Sequence, residues 1–139
     1  MKIYPAIFLF IFALAVSAFG QTGGTVSGKL LKANGKPLPH TEIELVPVAY
    51  DKQIDDTRFW ATSNSLGDFM FSEVPDGKYT LSINFDEKPT DTSPYQTFFY
   101  PGIANRTQAK TFEIASGDKI SGVNFRVPPP LAQRRVVGK

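Results

Sequence analysis

His40 is the only histidine in the chain, and there is no cysteine. A Ser-His-Asp triad would need His40 as its base. No Gly-x-Ser-x-Gly elbow accompanies it. His40 reads instead as a turn residue ahead of a strand, and no catalytic residue is expected. A structural zinc site would have one nitrogen ligand and no sulfur, which is too few. Oxygen ligands for calcium are available in two clusters, Asp51, Asp55 and Asp56, and Asp86, Glu87 and Asp91. Neither set has the ordered spacing and glycine hinge of a calcium loop, so both read as solvated acidic loops. No metal and no cofactor is expected.

The aromatic residues carry more promise. In Tyr95-Gln96-Thr97-Phe98-Phe99-Tyr100 the rings cannot share one face of an extended segment, because successive side chains alternate. If Phe99 is core, Phe98 and Tyr100 point the other way. Arg58-Phe59-Trp60 poses the same choice. Exposed Trp or Tyr beside a polar loop is what sugar stacking or protein docking needs. Trp60, Tyr95, Phe98 and Tyr100 are therefore the candidate ligand or partner patch. The competing reading is that long loops cover that second face. Asn105-Arg106-Thr107 is a formal N-glycosylation triplet of a kind that often arises by chance.

The elements that must position these rings read as strands. Twelve Phe and five Tyr, with eleven each of Gly and Pro, make short extended runs punctuated by turns. Thr25–Leu31 is a first strand, ended by Asn34-Gly35-Lys36-Pro37. Thr41–Val48 alternates, with Ile43 and Leu45 inward and Glu42 and Glu44 on a solvated outer face. Arg58–Ser63 is a third strand. Asn64 to Asp68 turns into a short strand carrying Phe69 and Phe71. After the Pro75-Asp76-Gly77 turn, Lys78–Phe85 places Tyr79, Leu81, Ile83 and Phe85 inward, and Lys78, Thr80, Ser82 and Asn84 in water. Ala109–Ala115 and Ile120–Val127 read as a final hairpin around Ser116-Gly117-Asp118. About eight strands and no helical periodicity predict an all-β fold, an antiparallel β-sandwich of seven to eight strands.

Length and composition bound the rest. The 139 residues leave room for one domain. Lys2 precedes an uncharged apolar stretch from Ile7 to Phe19, too short to cross a bilayer comfortably, followed by the small-residue step Ala18-Phe19-Gly20. Residues 1–20 are expected to be a cleaved signal peptide, leaving no membrane span and an exported protein, periplasmic or extracellular. Residues 21–128 form the sandwich and residues 129–139 a proline-rich disordered tail. Without cysteine there is no disulfide staple and no lipid-bearing cysteine, so the fold rests on its apolar core. The net charge of +2 comes from interspersed charges. It predicts no nucleic-acid binding, which would want a clustered basic stripe.

Three stretches together resemble the carboxypeptidase regulatory-like domain, a transthyretin-like (prealbumin-like) sandwich of solitary exported bacterial type. They are Thr25 to Leu30 with Asn34 to Leu38 and Ile43-Glu44-Leu45; Thr62-Ser63-Asn64 through Gly67-Asp68-Phe69-Met70-Phe71 with Val74 to Leu81; and Tyr100-Pro101-Gly102 with Gly117-Asp118 and Gly122 to Val127. The middle run is the most specific, a Gly-x-Phe strand, a Pro-x-Gly turn and a Tyr-x-Leu strand. The resemblance implies a seven- or eight-stranded sandwich that serves as an accessory or adhesive unit and not as a catalyst. Hydroxyisourate hydrolases share the fold, but several His and Arg residues and their C-terminal motif have no counterpart in this sequence. Some related pilus repeats form a Lys–Asn isopeptide bond, with an acid two residues beyond Tyr-x-Leu. Here Ile83 holds that position, so Lys29 and Asn124 are expected to stay unlinked.

The expected function is a secreted or periplasmic non-catalytic module for protein binding or scaffolding, with an unidentified protein or glycan partner in the envelope. A carbohydrate-binding module using the exposed aromatics is the alternative, and a hydrolase ranks below both. A homo-oligomer formed through edge strands stays open.

Overall fold

The computed structural model describes residues 23–50 and 57–130. The proposed signal peptide, the acidic residues Asp51, Asp55 and Asp56, and the tail beyond Pro130 lie outside the described residues. Among those described, eight strands form: β1 (Gly24–Leu31), β2 (Glu42–Pro47), β3 (Phe59–Thr62), β4 (Asp68–Val74), β5 (Gly77–Ile83), β6 (Phe98–Phe99), β7 (Thr111–Ile114) and β8 (Lys119–Arg126). A single 3-10 turn, Arg106–Gln108, precedes β7.

The strands make two sheets. The smaller runs β4-β1-β8, and the larger runs β3-β2-β5, with β6 and β7 sharing the far edge of β5. The fold is the expected all-β sandwich, with one departure: β1 and β8 pair in parallel. The expected terminal hairpin does not form. Strand β7 pairs with β5 in the larger sheet and β8 with β1 in the smaller, so Ser116-Gly117-Asp118 carries the chain between sheets. Two adjacent amphipathic strands with a turn between them fit either arrangement. Both bury the same faces, and only the partner strands decide.

Alternating residues of both sheets meet in one dry interior. Val26, Leu30, Ile43, Leu45, Leu81 and Phe125 are wholly buried there, each stabilising the fold by about 1.5–3 kcal/mol relative to exposure. Two glycines are required by geometry. A Cβ on Gly28 would sit 1.8 Å from the Val123 carbonyl oxygen, so the close β1–β8 approach excludes any side chain. Gly67 adopts φ +79° in the turn that Asn64 closes, its Oδ1 accepting from Leu66 N and Asp68 N at 2.9 Å each.

Two orientation assignments are corrected. Phe85 does not follow Tyr79, Leu81 and Ile83 inward but joins Val46 and Phe99 on the opposite side of the larger sheet. Asn84 takes a left-handed φ of +52° just after β5 ends, which breaks the two-residue period before it reaches Phe85. The outer face is also not solvated where water was expected. Glu44, Thr80, Ser82 and Asn84 are all buried, because the chain's own loops close over them.

Candidate functional site

The outer face of the larger sheet carries a second, smaller core of mixed chemistry. Val46, Phe85 and Phe99 form its apolar base, with Tyr50, Ile103 and Ala109 packed around them. Phe85 meets Tyr50 and Phe99 edge-on at 5.5 and 6.0 Å between ring centroids, a geometry favoured by the ring quadrupoles. Two arginines close the cluster. Arg106 donates to the Pro47 carbonyl at 2.8 Å and lies over Phe85 at 5.4 Å. Arg58 lies over Tyr50, Trp60 and Phe85 at 5.5, 5.2 and 5.7 Å, and its Nη1 donates to Glu44 Oε2 at 3.1 Å. Guanidinium groups tolerate such burial because they are weakly hydrated and attracted to ring faces.

Glu44 is placed by parity. It alternates with the inward Ile43 and Leu45, and it lies opposite Trp60 on β3 and Ser82 on β5. It is 2% exposed. Burial pushes its carboxyl up to about 7, since lost hydration outweighs the attraction of Arg58, and Glu42 and Glu87 add like-charge repulsion. Arg58 engages Oε2, and no donor among the described residues reaches Oε1. Glu44 can therefore exchange a proton near neutrality and accept a further donor.

That acceptor lines a cavity of about 390 Å³, within the range of small-molecule sites. His40, just before β2, and Glu42 and Glu44 at its start form one side, with Ile83 at the end of β5 and Asn84 just beyond it. The opposite wall is the segment from Glu87 to Tyr95, with the hydroxyls of Thr90, Thr92 and Ser93. This wall is stitched to the sheet: Asn84 Nδ2 donates to the Tyr95 carbonyl, and Thr97 Oγ1 donates to the Asn84 carbonyl at 2.7 Å. Within the loop, Thr90 N donates to the Ser93 carbonyl at 2.9 Å. The result is a polar recess on a rigid sheet, rich in acceptors and hydroxyls.

The structure does not gather the four predicted aromatic residues into one exposed patch. Trp60 is half-exposed at 50%, directly across from Glu44. Tyr95 is partly buried and lines the cavity. Phe98 is 4% exposed and belongs to the interior between the sheets. Tyr100 packs against Phe112 and Phe125 at 5.3 and 5.9 Å. The alternation across Phe98, Phe99 and Tyr100 holds, but its phase is reversed: Phe98 and Tyr100 face inward and Phe99 outward. Phe99 is in turn covered by Phe85, so neither face leaves its rings in water. Sequence reasoning missed Glu44, Arg58 and the hydroxyl wall. The available signal was Val46, an apolar residue sharing parity with Glu42 and Glu44, which a fully solvated face would not favour.

Other chemistry finds little geometry. His40 N donates to the Ser63 carbonyl at 2.9 Å, but Ser63 is buried and its hydroxyl donates to the Leu38 carbonyl at 2.8 Å, away from any role as nucleophile. Among the described residues no three His, Cys, Asp or Glu side chains could hold a metal ion, and no helix is long and apolar enough to cross a membrane. Lys29 and Asn124 lie opposite each other across β1 and β8, with Lys29 Nζ 3.8 Å from Asp68 on an exposed surface.

No family model matches the chain, and no curated protein matches it. Six solved chains do. One is a Pseudomonas aeruginosa protein provisionally described as carbohydrate-binding, at 19% identity and TM-score 0.41, covering 78% of this chain and 92% of that one. Another is the full-length major pilin SpaD from Corynebacterium diphtheriae, at 13% identity and TM-score 0.44, covering 75% and 29%. A third is a DUF3823 family protein from Parabacteroides merdae, at 14% identity and TM-score 0.42, covering 76% and 46%. The chain thus spans less than half of the pilin and of the Parabacteroides merdae protein. Likenesses this distant carry no functional property over to this chain.

Proposed function

We propose that this chain is an exported, non-catalytic β-sandwich module, of the carboxypeptidase regulatory-like kind its sequence resembles. It acts by binding a ligand or partner outside the cytoplasm. The observation that carries the reading is the buried Glu44 lining a polar 390 Å³ recess, with the half-exposed Trp60 directly across from it on β3. A rigid sheet with a ring and convergent hydrogen-bonding groups on its outer face suits recognition. The engaged hydroxyl of Ser63 beside His40 supports the non-catalytic part. Protein docking or scaffolding is the broader form of the proposal.

Carbohydrate recognition is the narrower form, favoured by one feature: hydroxyl and carboxyl groups line the recess while an indole stands beside it. The interior positions of Phe98 and Tyr100 remove them from that role, leaving Trp60 and Tyr95. A glycan array probed with the processed protein and with Trp60→Ala tests it. Glycan signals that vanish in the variant support the sugar form. Protein partners recovered from an envelope extract, with a blank array, favour docking.

A further inference from the structure

The recess beside Glu44 has a chemical bias. Among the described residues its lining includes Glu42, Glu44 and Glu87, with His40 the one basic side chain and neither Lys nor Arg. Arg58 meets Glu44 only at Oε2, and the buried carboxyl still titrates near 7, so one cation does not offset its lost hydration. An ammonium group supplies both a positive charge and three donors to such oxygens. A bare cation would leave the rest unused. Thr90, Thr92 and Ser93 bring hydroxyls to the opposite wall, where Thr90 Oγ1 lies 3.3 Å from Thr92 Oγ1 and accepts from Ser93 N at 3.1 Å. Each hydroxyl is both a donor and an acceptor, so the set retains capacity to pair with a polyol. Trp60 lies outside that lining, across from Glu44 on β3; Arg58 stands over its ring at 5.2 Å, yet half of its surface stays open. An indole with open surface can take the apolar side of a sugar ring.

We propose that this recess is a subsite for an amine-bearing sugar: the carboxylates take the ammonium, the loop hydroxyls pair with the sugar hydroxyls, and Trp60 covers the ring. The proposal rests on the carbohydrate form of the function above and names its ligand class. A neutral sugar leaves the negative lining uncompensated. A lysine side chain satisfies the carboxylates but leaves the hydroxyl wall and the indole without a partner.

The test is calorimetric titration of the processed protein at about pH 7 and low salt, where Glu44 is about half ionised and much of a sugar amine still carries its proton. The probes are a glucosamine trimer, its fully N-acetylated counterpart, a neutral glucose trimer and a lysine tripeptide. The glucosamine trimer is expected to bind at least about tenfold more tightly than the other three, an advantage that added salt erodes. Replacing the exposed Glu42 and Glu87 together by Gln leaves the sheet packing intact and is expected to remove most of that advantage. Trp60→Ala is expected to weaken the trimer by roughly tenfold, in line with the loss of an aromatic anchor. Equal affinity for charged and neutral trimers overturns the amine inference while sparing the sugar reading. No binding by any trimer overturns both. A lysine peptide bound as tightly as the glucosamine trimer overturns the sugar assignment and leaves a docking surface for basic peptides.

Discussion

The two faces of the larger sheet are built from the same strands and are closed in opposite ways. On the inner face Ile43, Leu45, Leu81 and Ile83 meet a second sheet, and the seam is hydrocarbon. On the outer face the alternate residues Glu44, Val46, Thr80 and Ser82 are equally inaccessible. They are covered by loops through rings, two guanidinium groups and an ion pair. The inner seam needs no directional contacts, so it tolerates exchange of one apolar residue for another of similar volume. The outer cluster holds groups that must each keep a partner, which makes it conditional on charge state. The lesson is that equal burial does not mean equal robustness. A recess able to discriminate ligands belongs on the conditional side.

The largest effect that can break this comparison is in the interior. Phe125→Ala is expected to lower unfolding stability by about 3–5 kcal/mol, through lost burial and a cavity that two sheets cannot collapse. Urea denaturation measures it. An equal loss from Phe85→Ala, at the 9% exposed edge of the outer cluster, would erase the distinction.

Next comes the ion pair. Arg58→Ala strands a buried carboxylate and is expected to cost about 3 kcal/mol at pH 8, and clearly less at pH 5, where Glu44 is protonated. Parallel denaturation series at the two pH values decide this. A loss of the same size at both would mean that Arg58 acts through packing alone.

A smaller and sharper effect belongs to Glu44 itself. Its folded pKa of about 7 lies above the unfolded value of 4.5, so the folded state binds the extra proton between them. Stability from this group is therefore full below about pH 4.5 and falls as pH rises through 7, by roughly 2–3 kcal/mol. Glu44→Gln is expected to flatten that part of the stability profile. A profile that keeps its slope in the variant would assign the pH dependence elsewhere.

The smallest expected stability change is the functional one. Trp60→Ala removes a half-exposed ring and is expected to shift stability by under about 0.5 kcal/mol while weakening ligand binding by roughly tenfold. A variant that unfolds early would make Trp60 a structural cover and not a contact surface.

Much of the fold was legible because a two-residue period records which side chains share a face. The inward set Ile43, Leu45, Tyr79, Leu81, Phe112, Ile114, Val123 and Phe125 is buried as the alternation required. The Pro75 to Gly77 and Asn64 to Gly67 turns likewise announce themselves through residues that tolerate unusual dihedrals. Phase was harder. Phe98-Phe99-Tyr100 alternates with either assignment, and only pairing of Ser82 with Phe99 and of Ile83 with Phe98 sets which ring goes in. The candidate site was barely legible. Glu44 and Arg58 are 14 residues apart in the chain, and their meeting depends on β2 pairing with β3.

From the sequence alone follow the all-β class, the turn positions, the absence of disulfides and most of the membership of the interior, Phe85, Phe98 and Tyr100 excepted, since these depend on local dihedral tolerance and on alternation. The tertiary structure alone decided that β7 and β8 part to different sheets, that Phe85 turns outward and that a glutamate becomes buried against an arginine that itself lies over three rings. Those outcomes turn on which distant segments cover a face. A pattern of alternating residues names the two faces of a strand and says nothing of what lies above either one.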